Sequence, residues 1–543
     1  MNTSNAMKKM SPKKAPGLRQ TMSNLHTWTG LLVGWVLYAM FLTGTVSYFR
    51  DEISQWMRPE LAHQAHLPDA AETAQRLVNT LSVLAPDSTQ WSFGLPNARN
   101  NVSNAFWRDP HVSGRGGFKT ATFDPTTGEQ VEGRQTRGGD FFYAFHFQFH
   151  YLSPLVGRWI AGFCAMFMLI AIVSGIITHK KIFIDFFTFR WGKGQRSWMD
   201  AHNVLSVFGL PFHLMITYSG LVTLMLLYMP WGRDAAFKTP RERQALTVEM
   251  SAFIPAGAPS GQRAPLTPIG DLVRQAQTRW GHANISRVTI THPGDASARV
   301  AVVRGDFARA SISPQYLLFD GVSGKLLQVK DAVGAAAETR GVLYALHLGR
   351  FADTVVRWLY FLVSLAGTAM VGSGLVLWTV KRRAKLPDPT RPYFGFWLVE
   401  RLNIAAIAGL SLAMAGLLWA NRLLPLGLDG RAAWEIHGFF MLWAGATVWA
   451  VVRPAKRAWI ELLSAAAAAL ALLPILSAMT TDRPLWHSVA QRDWVFIGME
   501  LSLLVLAALH ATLALRATRR PKARPASKAV SSRVGALPVI QNT

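Results

Sequence analysis

Eight stretches of about twenty residues in this chain are almost free of charge, and that feature decides most of what it can fold into. A helix rises 1.5 Å per residue, so about twenty residues cross the roughly 30 Å hydrocarbon core of a bilayer, where every backbone polar group must be satisfied internally. The expected fold class is an α-helical polytopic membrane protein of about eight transmembrane helices. Spans are read at 21–49, 157–178, 203–229 and 355–380, and four more lie within 396–515, at 396–420, 433–452, 458–478 and 494–515. Two long polar connections, 50–150 and 230–346, are left for domains outside the membrane. The segment 179–202 is a loop, and 1–20 and 516–543 are basic tails.

Basic residues are retained on the cytoplasmic side of a membrane. Here they cluster at Lys8, Lys9, Lys13, Lys14 and Arg19, at Lys180, Lys181, Arg190, Lys193 and Arg196, and at Lys381, Arg382, Arg383 and Lys385. Two further clusters are Arg453, Lys456 and Arg457, and Arg516, Arg519, Arg520, Lys522 and Arg524. All five fall on one face. The expectation is a multi-pass protein of a bacterial-type inner membrane, with both termini cytoplasmic and both large domains outside. Topology and anionic lipid account for the formal charge of +25, so membrane lipid is the expected partner and nucleic acid is not. The single cysteine, Cys164, allows no internal disulfide, no Cys-ligated iron–sulfur cluster and no Cys-x-x-Cys-His haem attachment.

The chain is also built twice. His26 leads by 18 residues to Gly44 in the first span, and His202 leads by 18 to Gly220 in the third. Eighteen residues are about five helical turns, so His and Gly share a face in each. Arg158-Trp159 leads by 16 residues to Gly175 in the second span, and Arg357-Trp358 by 16 to Gly374 in the fourth. His150 precedes one of these pairs and His347 the other, at spacings that differ by two. Each long connection opens on a helix-like segment (70–84 and 268–280) and reaches Phe-Asp-x-x-x-Gly, at Phe123, Asp124 and Gly128 and at Phe319, Asp320 and Gly324. That motif reads as a strand leaving into a turn and returning. Two small α+β domains in an internal repeat are expected.

The helix–domain–helix unit and the stretch LHTWTGLLVGWVLYAMFLTGTVSYF resemble the PepSY-associated transmembrane family, over about residues 20–385. That family includes iron-regulated membrane proteins and siderophore-linked ferric reductases. The resemblance implies PepSY-like domains and a haem-dependent membrane ferric reductase, an oxidoreductase passing electrons to a ferric-siderophore or similar chelate during iron uptake. It assigns no role to the last four spans.

Intramembrane histidines are functional-site candidates by default, because an unpartnered imidazole is expensive in lipid. Equivalent histidines of two halves packed about a twofold axis can face each other. That pairs His26 with His202 at the cytoplasmic boundary and His150 with His347 on the outer side, each pair ligating one non-covalent haem b. A rival set uses His213, 11 residues after His202 and within about 20° of its face, with His146 or His150 as its mate. His179 reads as a ligand or an interfacial residue, and Arg158 and Arg357 as propionate partners or interfacial anchors. His437, His487 and His510 read as structural; His63, His66, His111, His282 and His292 as surface residues; 141–151 as an interfacial helix.

No Gly-x-Gly-x-x-Gly follows a strand, so neither flavin nor NAD is expected and a quinol or cytoplasmic reductase must supply electrons. Two other readings stand beside electron transfer. One is a non-enzymatic PepSY-domain binding or regulatory protein. The other is a transporter of a metal or chelate, for which Glu400, Glu435 and Glu500 are the acidic residues within the spans.

Overall fold

The computed structural model describes residues 17–519 apart from 62–66, 110, 113–116, 180, 253 and 255–256. Lys8, Lys9, Lys13, Lys14, Lys180, Arg520, Lys522, Arg524, His63 and His66 lie outside the described residues.

The first half begins with α1 (Leu18–Ser47) and the short α2 (Arg50–Trp56), then α3 (Ala70–Leu84), β1 (Gln90–Gly94), β2 (Ser103–Arg108) and β3 (Phe118–Phe123). It returns through α4 (Asp140–Gln148) and α5 (Pro154–Thr178), and α6 (Ile182–Phe186) leads to the second half. There α7 (Gln195–Phe208), α8 (Leu210–Thr223), and the short α9 (Met225–Tyr228), α10 (Trp231–Ala236) and α11 (Pro240–Glu249) precede α12 (Ile269–Arg279). Four strands follow, β4 (Ile285–Thr291), β5 (Arg299–Arg304), β6 (Tyr316–Asp320) and β7 (Leu326–Lys330), before α13 (Ala335–Leu348) and α14 (Thr354–Arg383). The C-terminal group is α15 (Phe394–Ile404), running through a π-turn at Ala405–Gly409 into α16 (Leu410–Leu423), then α17 (Arg431–Val452), α18 (Ala455–Thr480), α19 (Leu485–Ala490) and α20 (Trp494–Thr518).

Seven helices among the described residues are long and apolar enough to cross a membrane, α15 and α16 counting as one, and the bent pair α7–α8 makes an eighth. The third span, expected to run unbroken over 203–229, is therefore corrected: it bends by 68° at Gly209. Pro211 cannot donate to the Val207 carbonyl, and the Gly209 N–H bonds that carbonyl instead. The equivalent positions of α1 are Val33 and Trp35, and α1 is a single helix of 30 residues. Where the chain re-enters the bundle, both returning helices are capped. The Ser153 side chain accepts from the Val156 N–H and the Asp353 side chain from the Val356 N–H.

The two extramembrane units share one antiparallel sheet of seven strands, in the order β3-β2-β1-β4-β5-β6-β7. β1 and β4 pair at the seam, Ser92 opposite Thr289, and the two hydroxyls hydrogen-bond at 2.9 Å. One face carries α3 and α12, whose Leu77, Leu81, Ile269 and Leu272 bury against Phe93, Val288, Val300 and Phe319. The repeated Phe-Asp-x-x-x-Gly ends β3 and β6 in the expected turn. Asp124 accepts from the Thr126 and Thr127 N–H groups, Asp320 from those of Val322 and Ser323, and Gly128 and Gly324 take positive φ.

The 141–151 stretch differs from its reading as a surface helix. Phe141, Phe142 and Phe145 of α4 are buried against α1, α2 and Phe439 of α17. This places α4 inside the protein.

Candidate functional site

Four histidines form two pairs, one toward each end of the bundle. His26 of α1 faces His202 of α7, their ring centres 6.2 Å apart. His146 of α4 faces His347 of α13, again at 6.2 Å, on the side of the sheet.

One local pattern seats all four rings. The Nδ1 of His26 bonds the Ala171 carbonyl at 2.8 Å, that of His202 the Met370 carbonyl at 2.9 Å, that of His146 the Met40 carbonyl at 2.6 Å and that of His347 the Ile216 carbonyl at 3.0 Å. Each of these carbonyls lies four residues before a glycine: Gly175, Gly374, Gly44 and Gly220. A Cβ on those glycines would stand 3.2, 3.1, 2.7 and 2.9 Å from the respective ring. The glycine removes the side chain that would block the imidazole, and the carbonyl one turn earlier fixes its orientation. The repeated His and Gly positions thus interlock between helices rather than acting within one.

This pattern suits metal ligation. A ligating histidine almost always donates its other ring N–H to a carbonyl, carboxylate or water, which sets the tautomer. Here Nδ1 is so engaged in all four, and no hydrogen bond of their Nε2 occurs among the described residues. Imidazole–metal bonds of about 2.0 Å on either side of one ion leave ring centres about 6 Å apart, which is the separation found. No cluster of three or more His, Cys, Asp or Glu side chains able to hold a bare ion occurs among the described residues.

A cavity of about 350 Å³ contains the His146–His347 pair. Its inner walls are Leu37, Met40, Phe41 and Met168, and toward the sheet it is lined by Arg50, Arg99, Arg350, Tyr143 and Tyr344. Arg99 pairs with Asp51 and Glu52, and Arg350 with Asp306.

The remaining candidates lie elsewhere. His150, read as the partner of His347, instead stacks on Phe440 at 5.6 Å and meets Tyr151 edge-on at 4.4 Å. The end of α4 at Gln148 puts His150 outside the helix, whereas His347 is within α13. His213 is buried away from both pairs. His179 accepts at Nε2 from Asn203, 3.1 Å away. Arg158 lies over the Phe147 ring, and Arg357 pairs with Glu52 at 2.6 Å, so neither lines the cavity. Arg50, Arg99 and Arg350 were missed because they sit in the outer connections, where nothing in the sequence marks them.

The sequence profile of the PepSY-associated TM region matches residues 23–381, both halves of the repeat together. The chain belongs to this family. No curated protein matches it. The PepSY-associated region holds all four paired histidines and ends at α14, so α15–α20 lie outside it. Of the acidic residues in those additional spans, Glu400 pairs with Arg383 and Glu435 with Arg431. Both are taken up in structural bonds.

Proposed function

We propose that this protein carries electrons across a bacterial inner membrane through two b-type haems and reduces a ferric chelate, such as a ferric siderophore, on the sheet side. The observation that carries the reading is the doubled pair of facing imidazoles, each ring held by a carbonyl and a glycine. Bound there, haem supplies a one-electron carrier. His26 with His202, and His146 with His347, would hold its iron, and the apolar helices around them would keep water out. Arg50, Arg99 and Arg350 would face the carboxylates of the group on the sheet side.

A ferric chelate that takes up one electron becomes a ferrous one, a softer and less charged ion that oxygen ligands hold less firmly. Nothing in the chain resembles a flavin or nicotinamide site, so the donor is separate, a quinol or a cytoplasmic reductase. The basic residues flanking the spans support a cytoplasmic side for the termini, on which the His26–His202 pair near them would also lie.

The purified protein is expected to show a sharp α-band on reduction with dithionite and two haems per chain by extraction. A featureless reduced spectrum after expression with haem supplied would sink this reading.

Two glycines of α1 offer a matched test of the cradle. A Cβ at Gly30 meets nothing within 4 Å, so Gly30→Ala is expected to stabilise the helix by up to about 1 kcal/mol. Gly44→Ala puts its methyl into the His146 ring. It is expected to deplete the sheet-side haem and spare the other, as read from haem content.

A further inference from the structure

A fifth histidine is buried between the two pairs, and its surroundings have been cleared for it. His213 of α8 is 1% exposed; its ring meets the Val363 backbone of α14, four residues before Gly367, which leaves at least one ring nitrogen without a hydrogen-bond partner among the described residues. A Cβ at Gly367 of α14 would stand 2.9 Å from Nε2, and the ring also fills the space beside Gly209, where the third span breaks. Its ring neighbours are Phe41 and Phe212, at 6.4 and 6.3 Å.

The fold does not require this arrangement, because the first half solves the same packing problem without it. Eleven residues after His26 stands Leu37, and seven before Gly175 stands Met168, both in one apolar cluster. In the second half, eleven residues after His202 stands His213, and seven before Gly374 stands Gly367. A leucine–methionine contact in one half is thus a histidine in a glycine notch in the other. An imidazole with a ring nitrogen left unpartnered in the hydrocarbon region is costly, so a pure packing role would favour leucine.

We propose that His213 is the proton acceptor coupled to reduction of the sheet-side haem site, an inference that rests on the haem reading above. An electron placed in a medium of low dielectric is costly unless a positive charge arrives with it. For each electron that a haem held by His146 and His347 would take up, neutral His213 would gain one proton from water and become imidazolium, so that charge stays balanced. A route for that proton is at hand. Thr217, one turn after His213, and Ser364, next to Val363, both line the cavity that holds the His146–His347 pair.

The other ionisable groups on the helices around α8 do not compete for this role. Tyr38 on α1, Tyr48 just after it, Tyr344 on α13, Tyr360 on α14 and Cys164 on α5 carry phenol or thiol groups, which give up a proton rather than accept one. Glu338, Arg340, Arg357 and Arg158 stand in the first turns of their helices at the sheet side, and Asp200 of α7 is tied to Arg190. His26, His202 and His347 have Nδ1 on a carbonyl, and their Nε2 atoms would be taken up in holding the iron. Among the described residues, His213 is the imidazole on these helices that belongs to neither pair, with a ring nitrogen left to accept a proton.

The test is a potentiometric titration of both haems between about pH 6 and 8, the sheet-side one identified as that lost in His146→Ala. In the unmodified protein its midpoint potential is expected to fall as pH rises, because proton uptake favours the reduced state. Installing the packing of the first half, His213→Leu with Gly367→Met, should flatten that dependence while both haems remain bound. His213→Gln, polar but unable to titrate, should flatten it too and serves if the double variant does not fold. A pH-independent potential in the unmodified protein, or an unchanged slope in both variants, overturns the inference while leaving the haem reading intact. Absence of haem from the unmodified protein overturns both.

Discussion

Replacing His146 by Ala is expected to halve the haem content, and replacing His202 by Ala to remove the other half, whereas His150→Ala leaves both haems bound. The first two variants each delete one ring of a facing pair 6.2 Å apart, and the third deletes a ring that touches only Phe141, Tyr151 and Phe440 among the described residues. An iron held by one protein imidazole opens its sixth position, so the visible spectrum of the remaining material also loses its six-coordinate character. Losing an outer-shell partner of a metal ligand typically costs about 10–100-fold in affinity or activity. Losing the ligand itself should slow reduction of an external ferric chelate by at least about 100-fold, measured in vesicles with the electron donor inside. Normal haem content in His146→Ala with depletion in His150→Ala would restore the pairing expected from the sequence and reject the one described.

How much of this could be read from the sequence is clearest at those two residues. The offset from histidine to the Arg-Trp pair is ten residues in the second half; in the first it is eight from His150 and twelve from His146. Counting alone is therefore balanced between the two. What breaks the balance is the end of α4 at Gln148, after which Phe149 and Tyr151 both take positive φ. Such an ending depends on tertiary packing of the Phe-rich face of α4, and no local residue pattern announces it.

The His-to-Gly register was legible because both residue types are scarce in apolar helices and recur at a fixed distance. Its meaning was not, since the glycine on each helix serves a histidine from a different one. The single sheet was hidden for a related reason. The strands at the Phe-Asp-x-x-x-Gly turns were visible in the sequence, but the β1–β4 pairing joins segments nearly 200 residues apart, and strand sequences do not encode such partners. The bend at Gly209 was written plainly in Gly-Leu-Pro, and hydropathy alone passes over it because the segment stays apolar throughout.

The last four spans, silent in the sequence, acquire a physical role from where their charges are buried. Arg431 and Glu435 of α17 are 0% and 1% exposed and pair at 2.5 Å. Arg431 also donates to the Gln135 and Asn421 carbonyls, and Glu435 accepts from Thr136 and Asn421. Asn421 and Arg422 donate to the carbonyls of Met57 and Trp56, and Arg134 donates to that of Asn421. The two roots of the first half's extramembrane unit, near residues 56–61 and 134–136, are therefore fastened to the C-terminal bundle by buried, charge-assisted bonds. The second of these segments leads into α4, which carries His146.

Arg431→Met is accordingly expected to cost about 3–5 kcal/mol, because it leaves the Glu435 carboxylate buried without its counter-charge and takes a charged donor from the Gln135 and Asn421 carbonyls. Thermal unfolding of the purified protein should begin several degrees lower, with new protease cleavage confined to the two roots of the first unit. Arg274→Met is the control: its partner Asp271 is an exposed i,i+3 neighbour, and such pairs contribute well under about 1 kcal/mol. If the bundle were only a lipid-facing annex, the two substitutions would differ little. If it holds the first unit in place, Arg431→Met should also shift the spectrum of the sheet-side haem without displacing the one between His26 and His202, since only the former depends on α4.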